Sequence, residues 1–231
     1  MADGVAGAEG DTRAKRTAMK SLVILISGRG SNMAALLEAR IGGRIAAVIS
    51  NVPGAAGLGI AEAAGIPAAV IDHRAHPGRP EFETALAAEI ERHDPDLVVL
   101  AGFMRVLSAS FVGRFEGRLL NIHPSLLPAF PGLHTHRRAL QAGARIHGCT
   151  VHFVTSDLDA GPIVIQAAVP VLTSDTEEAL AARVLEQEHR IYPVAVRWFC
   201  EDRLRLSQGQ VEVEGARPGA LALVSPAPDT P

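Results

Sequence analysis

Two uninterrupted apolar runs constrain this chain more tightly than any other feature: SLVILIS (Ser21–Ser27) and the core of DLVVLAGF (Asp96–Phe103). Each is too short for a buried helix and rich in Val, Ile and Leu without alternation. That pattern belongs to a strand covered on both faces. Such strands need helices on either side, and the sequence supplies them. NMAALLEARI reads as a helix, RIAAVISN as a strand, and GLGIAEAAG as a helix ending at Gly65. PAAVID is a short strand and RPEFETALAAEIERHD a long helix. The alternation predicts an α/β fold built on a mostly parallel, twisted sheet with helices on both faces.

Beyond DLVVLAGF, Ser108–Phe115 reads as a short helix, RLLNIH as a strand and THRRALQAG as a helix. GCTVHFVT follows as a strand with His152 on one side, and GPIVIQAAVPV as one or two strands in antiparallel pairing. SDTEEALAARVLEQEHRIYPVAVRWFCE closes the pattern as a long helix. Its start offers capping-box spacing at Ser174 with Glu177, or at Asp175 with Glu178. Pro193 is expected to kink or interrupt it. This places a flexible tail at residues 1–20, one domain at 21–206 and a partly loose C-terminal extension at 207–231.

Composition narrows the function classes. Of 231 residues, 48% are hydrophobic and 20% charged, with a net charge of −3, which fits a globular protein and disfavours non-specific nucleic-acid binding. Two cysteines cannot make a disulfide framework, so a reducing, cytoplasmic setting is expected. No apolar run approaches a membrane span. The expected partners are small molecules, with no nucleic acid and no membrane, and the chain is expected to act as a monomer or a homodimer.

Four polar motifs follow strands: SGRGSN (Ser27–Asn32), MRVL (Met104–Leu107), Asn121 with His123, and SDLDAGP (Ser156–Pro162). In open α/β sheets ligands bind beyond the carboxyl ends of strands, so the four motifs predict one site. SGRGSN lacks the Lys-Ser/Thr of a nucleoside-triphosphate loop and has Met33 where a dinucleotide fingerprint needs glycine. A phosphomonoester at the helix N-terminus is the better reading, set against a tight βα turn that holds no ligand. Asn121 and His123 share one face of a strand, and Pro124 restricts His123. With a carboxylate from Asp159 they suit acyl transfer through an oxyanion. No G-x-S-x-G nucleophile is present, so the attacking group would belong to a substrate. A rival reading takes His134, His136, His147 and His152 as metal ligands, although no Cys pair or HExxH accompanies them.

SGRGSN, VVLAGFMRVLS, RLLNIHPSLLPAFPGLHTHRRAL, GCTVHFVTSDLDAGPIVIQ and QEHRIYP together resemble the phosphoribosylglycinamide formyltransferases, folate-dependent enzymes of purine biosynthesis, from about Leu22 to about Leu206. The resemblance implies a Rossmann-like formyltransferase fold and 10-formyltetrahydrofolate as co-substrate, with no metal. It implies catalytic roles for Asn121, His123 and Asp159, with His123 tuned by Asp159. It assigns Gly30, Ser31, Asn32 and Glu188 to the phosphoribosylglycinamide. Arg79, Met104, Arg105, Val106, Leu107 and Asn121 fall on the folate. A 10-formyltetrahydrofolate hydrolase resembles this family around the same triad, but carries a further domain in front. A tRNA formyltransferase carries one behind, and a non-catalytic folate or phosphate binder would have no need of His123 with Asp159.

Overall fold

The computed structural model of the protein describes residues 19–217 and, beyond them, residues 219, 223, 225 and 226. Nearly all of the predicted N-terminal tail, residues 1–18, and most of the chain past residue 217 lie outside the described residues. The elements run β1 (Ser21–Ile26), α1 (Ser31–Glu38), β2 (Arg44–Ser50), α2 (Ala56–Ala63), β3 (Ala68–Val70), a 3-10 turn (His73–Ala75), α3 (Arg79–Glu91) and β4 (Leu97–Leu100). They continue through α4 (Ala109–Arg114), β5 (Leu119–His123), α5 (Thr135–Gln141), β6 (Ile146–Phe153), β7 (Ile163–Pro170) and α6 (Glu177–Cys200). A hairpin of β8 (Leu204–Ser207) and β9 (Gln210–Val213) carries ordered structure past residue 206.

Seven strands form one sheet in the order β3-β2-β1-β4-β5-β6-β7. The five on the β3 side are parallel, and β6 and β7 pair antiparallel. The continuous apolar runs behave as their composition demands. Along β1, Leu22, Ile24 and Ile26 enter one buried cluster with α1 and α6, while Val23 and Leu25 enter a second with α3 and α4. β4 divides in the same way, with Val99 on the first face and Val98 and Leu100 on the second. Five buried β1 side chains at roughly 1.5–3 kcal/mol each anchor the centre of the sheet.

α6 runs unbroken for 24 residues through Pro193. The one amide lost to proline is outweighed by packing, since Ile191, Tyr192, Ala195 and Val196 all join the core. The Tyr192 hydroxyl lies 3.0 Å from the carbonyls of both Leu100 and Leu120, pinning α6 to β4 and β5. The N-cap of the helix is Thr176, one residue past the Asp175 box and two past the Ser174 box. Thr176 accepts from Ala179 N at 3.2 Å, while Asp175 is engaged by Arg183 at 2.7 and 2.8 Å and by Leu172 N at 2.8 Å. No described helix is long and apolar enough to cross a membrane.

Candidate active site

β5 supplies the first two polar groups. Leu120 and Ile122 point to the α1/α6 face and Leu119 to the α3/α4 face, so Asn121 and His123 continue the line of Leu119. β6 pairs with β5 so that His152 faces Asn121 and Thr150 faces His123. Residues opposite one another in an antiparallel pair share a face. Four polar side chains therefore meet on one side of the sheet.

Asp159 arrives by a route the strand-end rule does not describe. β6 is antiparallel, so its carboxyl end lies beside Leu120, towards the start of β5. The β6–β7 connection then folds back over the face, and Asp159 Oδ2 stops 3.5 Å from His123 Nδ1. Asp159 Oδ2 also accepts from Gly132 N at 2.8 Å, and Oδ1 stands 3.9 Å from His152 Nε2. Asp159 itself has φ 52°, left-handed backbone that aspartate tolerates better than most residues. The neck of this connection has no spare room: a Cβ on Gly161 would sit 1.8 Å from the Phe153 carbonyl oxygen.

The remaining bonds fix tautomers. His152 Nδ1–H donates to its neighbour's carbonyl, Phe153 O, at 2.9 Å, leaving Nε2 to accept from Asn121 Nδ2 at 3.3 Å. Burial pushes the His152 imidazole below its ordinary range, against smaller opposing pulls from the Phe153 carbonyl and Asp159, which agrees with a neutral ring. Asn121 keeps a second N–H for a ligand. His123 Nε2 contacts Phe130 O at 3.1 Å, so both of its ring nitrogens face acceptors.

The proline-rich segment after His123 is hooked to β6. Thr150 Oγ1 donates to Ser125 O at 2.7 Å and accepts from Leu127 N at 3.1 Å and Gln166 Nε2 at 2.9 Å. The Leu127–Pro128 peptide is cis. His136 and His147 stack edge to face at 5.3 Å, with His136 Nδ1 and both His147 nitrogens buried and unbonded. Burial, with His136 beside it, lowers the His147 imidazole to about 4. Among the described residues no three His, Cys, Asp or Glu side chains are grouped as a metal would need.

The glycine turn lies at the carboxyl end of β1. Gly30 caps α1 with φ 76°, and a Cβ there would meet Gly57 Cα at 2.7 Å. The first helical bond is Ala34 N to Gly30 O at 2.8 Å, so the amides of Ser31, Asn32 and Met33 precede any intrahelical partner. Asn32 Nδ2 donates to Glu188 Oε2 at 2.7 Å, joining α1 to α6. Burial raises the Glu188 carboxyl above the usual range, with the Asn32 bond opposing it.

Met104–Leu107 follows β4 with no helix or strand of its own. Met104 is 74% exposed and Val106 57%, whereas Leu107 packs into the α3/α4 cluster and Arg105 stands in solvent. Arg79 reaches this segment through a bond to Val106 O and lies 3.5 Å from Glu83. Sequence reasoning missed His152 as a partner of Asn121, having weighed it only as a metal ligand. The alternation of GCTVHFVT places it on the face of Thr150, and that was the available signal. The Phe130 carbonyl and Gly132 amide had no signal in the sequence.

Residues 19–196 match the formyl transferase family. Phosphoribosylglycinamide formyltransferase of Escherichia coli K12 is 48% identical over 201 residues, covering 85% of this chain and 95% of that protein. The trifunctional purine biosynthetic protein adenosine-3 of Gallus gallus is 47% identical over 191 residues, 81% of this chain and 19% of that much longer protein. Among solved structures, glycinamide ribonucleotide transformylase 1 from Symbiobacterium toebii superposes with a TM-score of 0.82 at 50% identity, covering 84% of this chain and 94% of that one.

Proposed function

Since this chain belongs to the phosphoribosylglycinamide formyltransferase family, we propose that it moves the formyl group of 10-formyltetrahydrofolate to the amine of 5'-phosphoribosylglycinamide, a step of purine biosynthesis in the cytoplasm. One observation carries the reading. Asn121, His123 and Asp159 gather on a single face, with His123 Nδ1 3.5 Å from Asp159 Oδ2 and Asn121 held through His152, whose Nε2 lies 3.9 Å from Asp159 Oδ1. The phosphate would rest on the free amides of Ser31 and Asn32, where the helix dipole favours an anion. The buried Glu188 would face the ribosyl glycinamide part. The Met104–Leu107 segment, exposed at Met104, Arg105 and Val106 and anchored by Leu107, would hold the folate with Arg79 behind it.

In the proposed reaction the substrate amine attacks the formyl carbon, and the carbonyl electrons move to oxygen. The free N–H of Asn121 and a ring N–H of His123 stabilise that oxyanion. For His123 to offer Nε2–H, the substrate oxygen must displace the Phe130 carbonyl, 3.1 Å away. Asp159 holds the ring in place from its Nδ1 side. An ordered water carries the proton from the attacking amine to the folate nitrogen as the C–N bond to the folate breaks. The formylated amide and tetrahydrofolate leave.

The experiment is direct. Purified protein is mixed with both substrates, and tetrahydrofolate and formylated phosphoribosylglycinamide are followed by absorbance and mass spectrometry. Stoichiometric formation of both supports the reading. Formate released at the same rate without the amine would replace it with hydrolysis, and no turnover with either acceptor would end it.

A further inference from the structure

The strand order holds one topological reversal. From β1 the chain steps outward to β2 and β3, then returns to lay β4 on the other side of β1. After β1 the chain turns into α1 on one face, and after β4 it continues towards α4 on the other. A crevice opens between those two exits. Ser27 stands on one bank and Met104 on the other. A side-chain bond crosses between them, Met104 N donating to Ser27 Oγ at 2.7 Å, above a backbone bond from Ser27 N to Gly102 O at 3.1 Å.

This bond sets the direction of the next one. The Met104 amide can only donate, so the single Ser27 proton must go elsewhere, and Asn51 Oδ1 receives it at 2.5 Å. Asn51 is 1% exposed at the end of β2, with its orientation fixed by that bond. Its Nδ2 points to His73 Nδ1 at 3.1 Å, and the same Nδ1 lies 2.9 Å from the Asn51 carbonyl. His73 can accept from the one or donate to the other. Either choice leaves Ser27 and Asn51 joined.

The segment these residues hold has little else on that side. Glu83 binds Ser108 N at 2.8 Å and the Ser108 hydroxyl, and Arg79 binds the Val106 carbonyl, so α3 secures the far end. The near end is tied across the crevice by Ser27. We infer that Ser27 and Asn51 are positioning residues for the formyl donor: Asn51 orients the Ser27 hydroxyl, and Ser27 sets the distance of Met104–Leu107 from the α1 turn. The inference rests on the proposed function, which assigns that segment to the folate.

The test is a KM split in a double-mutant cycle. Ser27→Ala removes both hydroxyl bonds, of which the one from the Met104 amide bears on the donor segment, and is expected to raise KM for 10-formyltetrahydrofolate about three- to tenfold, leaving KM for phosphoribosylglycinamide and kcat within about twofold. Asn51→Ala should do the same. The double variant should be no worse than Ser27→Ala, because Asn51 acts through Ser27. Asn51→Asp keeps the acceptor and should restore the donor KM. If Ser27→Ala does not fold, the Asn51→Ala and Asn51→Asp pair carries the comparison. Equal rises in both KM values, multiplying effects in the double variant, or an unchanged donor KM would overturn the inference. Calorimetric titration with tetrahydrofolate separates the two levels. An unsubstituted protein that does not bind it removes the proposed function and this inference together, whereas equal binding by the variants removes the inference alone.

Discussion

The parallel half of the sheet and its antiparallel flank present polar groups to the same region by different means. On the parallel side the polar groups of the proposed site are mostly main chain: the amides opening α1, and a loop hung on Ser27, Arg79 and Glu83. Where the last parallel strand, β5, meets the antiparallel flank they are side chains aimed by other side chains, with His152 setting Asn121 and Asp159 facing His123. The buried histidines divide in the same way, since His123, His147 and His152 all lie on β5 and β6. Backbone amides and a helix dipole suit a fixed, permanent charge such as a phosphate. Titratable side chains suit a charge that appears and vanishes during reaction. On the proposed function, one half binds and the other reacts.

Kinetics can break that division. His123→Ala should lower turnover by about 10²–10³, the usual loss of one oxyanion donor, with a small change in substrate KM. Near-normal turnover in steady-state assays would remove His123 from the reacting half. The next largest effect is on stability. His147 sits near 4 in the fold and near 6.5 when unfolded, so between those values the unfolded chain holds a proton that the native ring refuses. Stability is therefore complete above about 6.5 and falls as pH drops towards 4, by roughly 3 kcal/mol in total. Urea midpoints across that window should flatten in His147→Phe, and an unchanged slope would contradict the assignment.

On the binding half, Gly30→Ala forces a side chain into left-handed backbone at about 1–2 kcal/mol and against Gly57. KM for the phosphorylated substrate should rise about tenfold while kcat holds. A fall in kcat alone would show that the glycine turn takes part in the reaction. The smallest effect serves as the control common to both halves. Thr176→Ala removes the α6 cap and should cost about 1 kcal/mol in thermal unfolding, with neither kinetic constant altered.

How much of this was legible in the sequence follows the same line. β1 and β4 declared themselves because burial on both faces leaves no polar position in the run. Asn121 and His123 could be paired because two residues of extended chain restore the same direction. The long-range facts were harder. SDTEE holds three residues able to cap a helix, and only the pairing of Asp175 with Arg183 explains why Thr176 takes the position. Pro193 reads locally as a break, and only the surrounding core shows why the helix continues. Asp159 was expected at a shared strand edge, yet its strand runs the other way, and only the returning loop brings it to His123. Strand polarity is decided by pairing partners far along the chain, which no local pattern records.

The β6–β7 ladder has a consequence for how the molecule assembles. It joins neighbouring strands, whereas the centre of the sheet must bring together segments as distant as Ser21 and Asp96, 75 positions apart. Ladders between adjacent segments close early because little chain entropy is lost in closing them. The carrier of Asp159 should thus acquire its shape during folding before the β1–β4 crevice exists, and the last event to complete the enzyme should be the zipping of its middle.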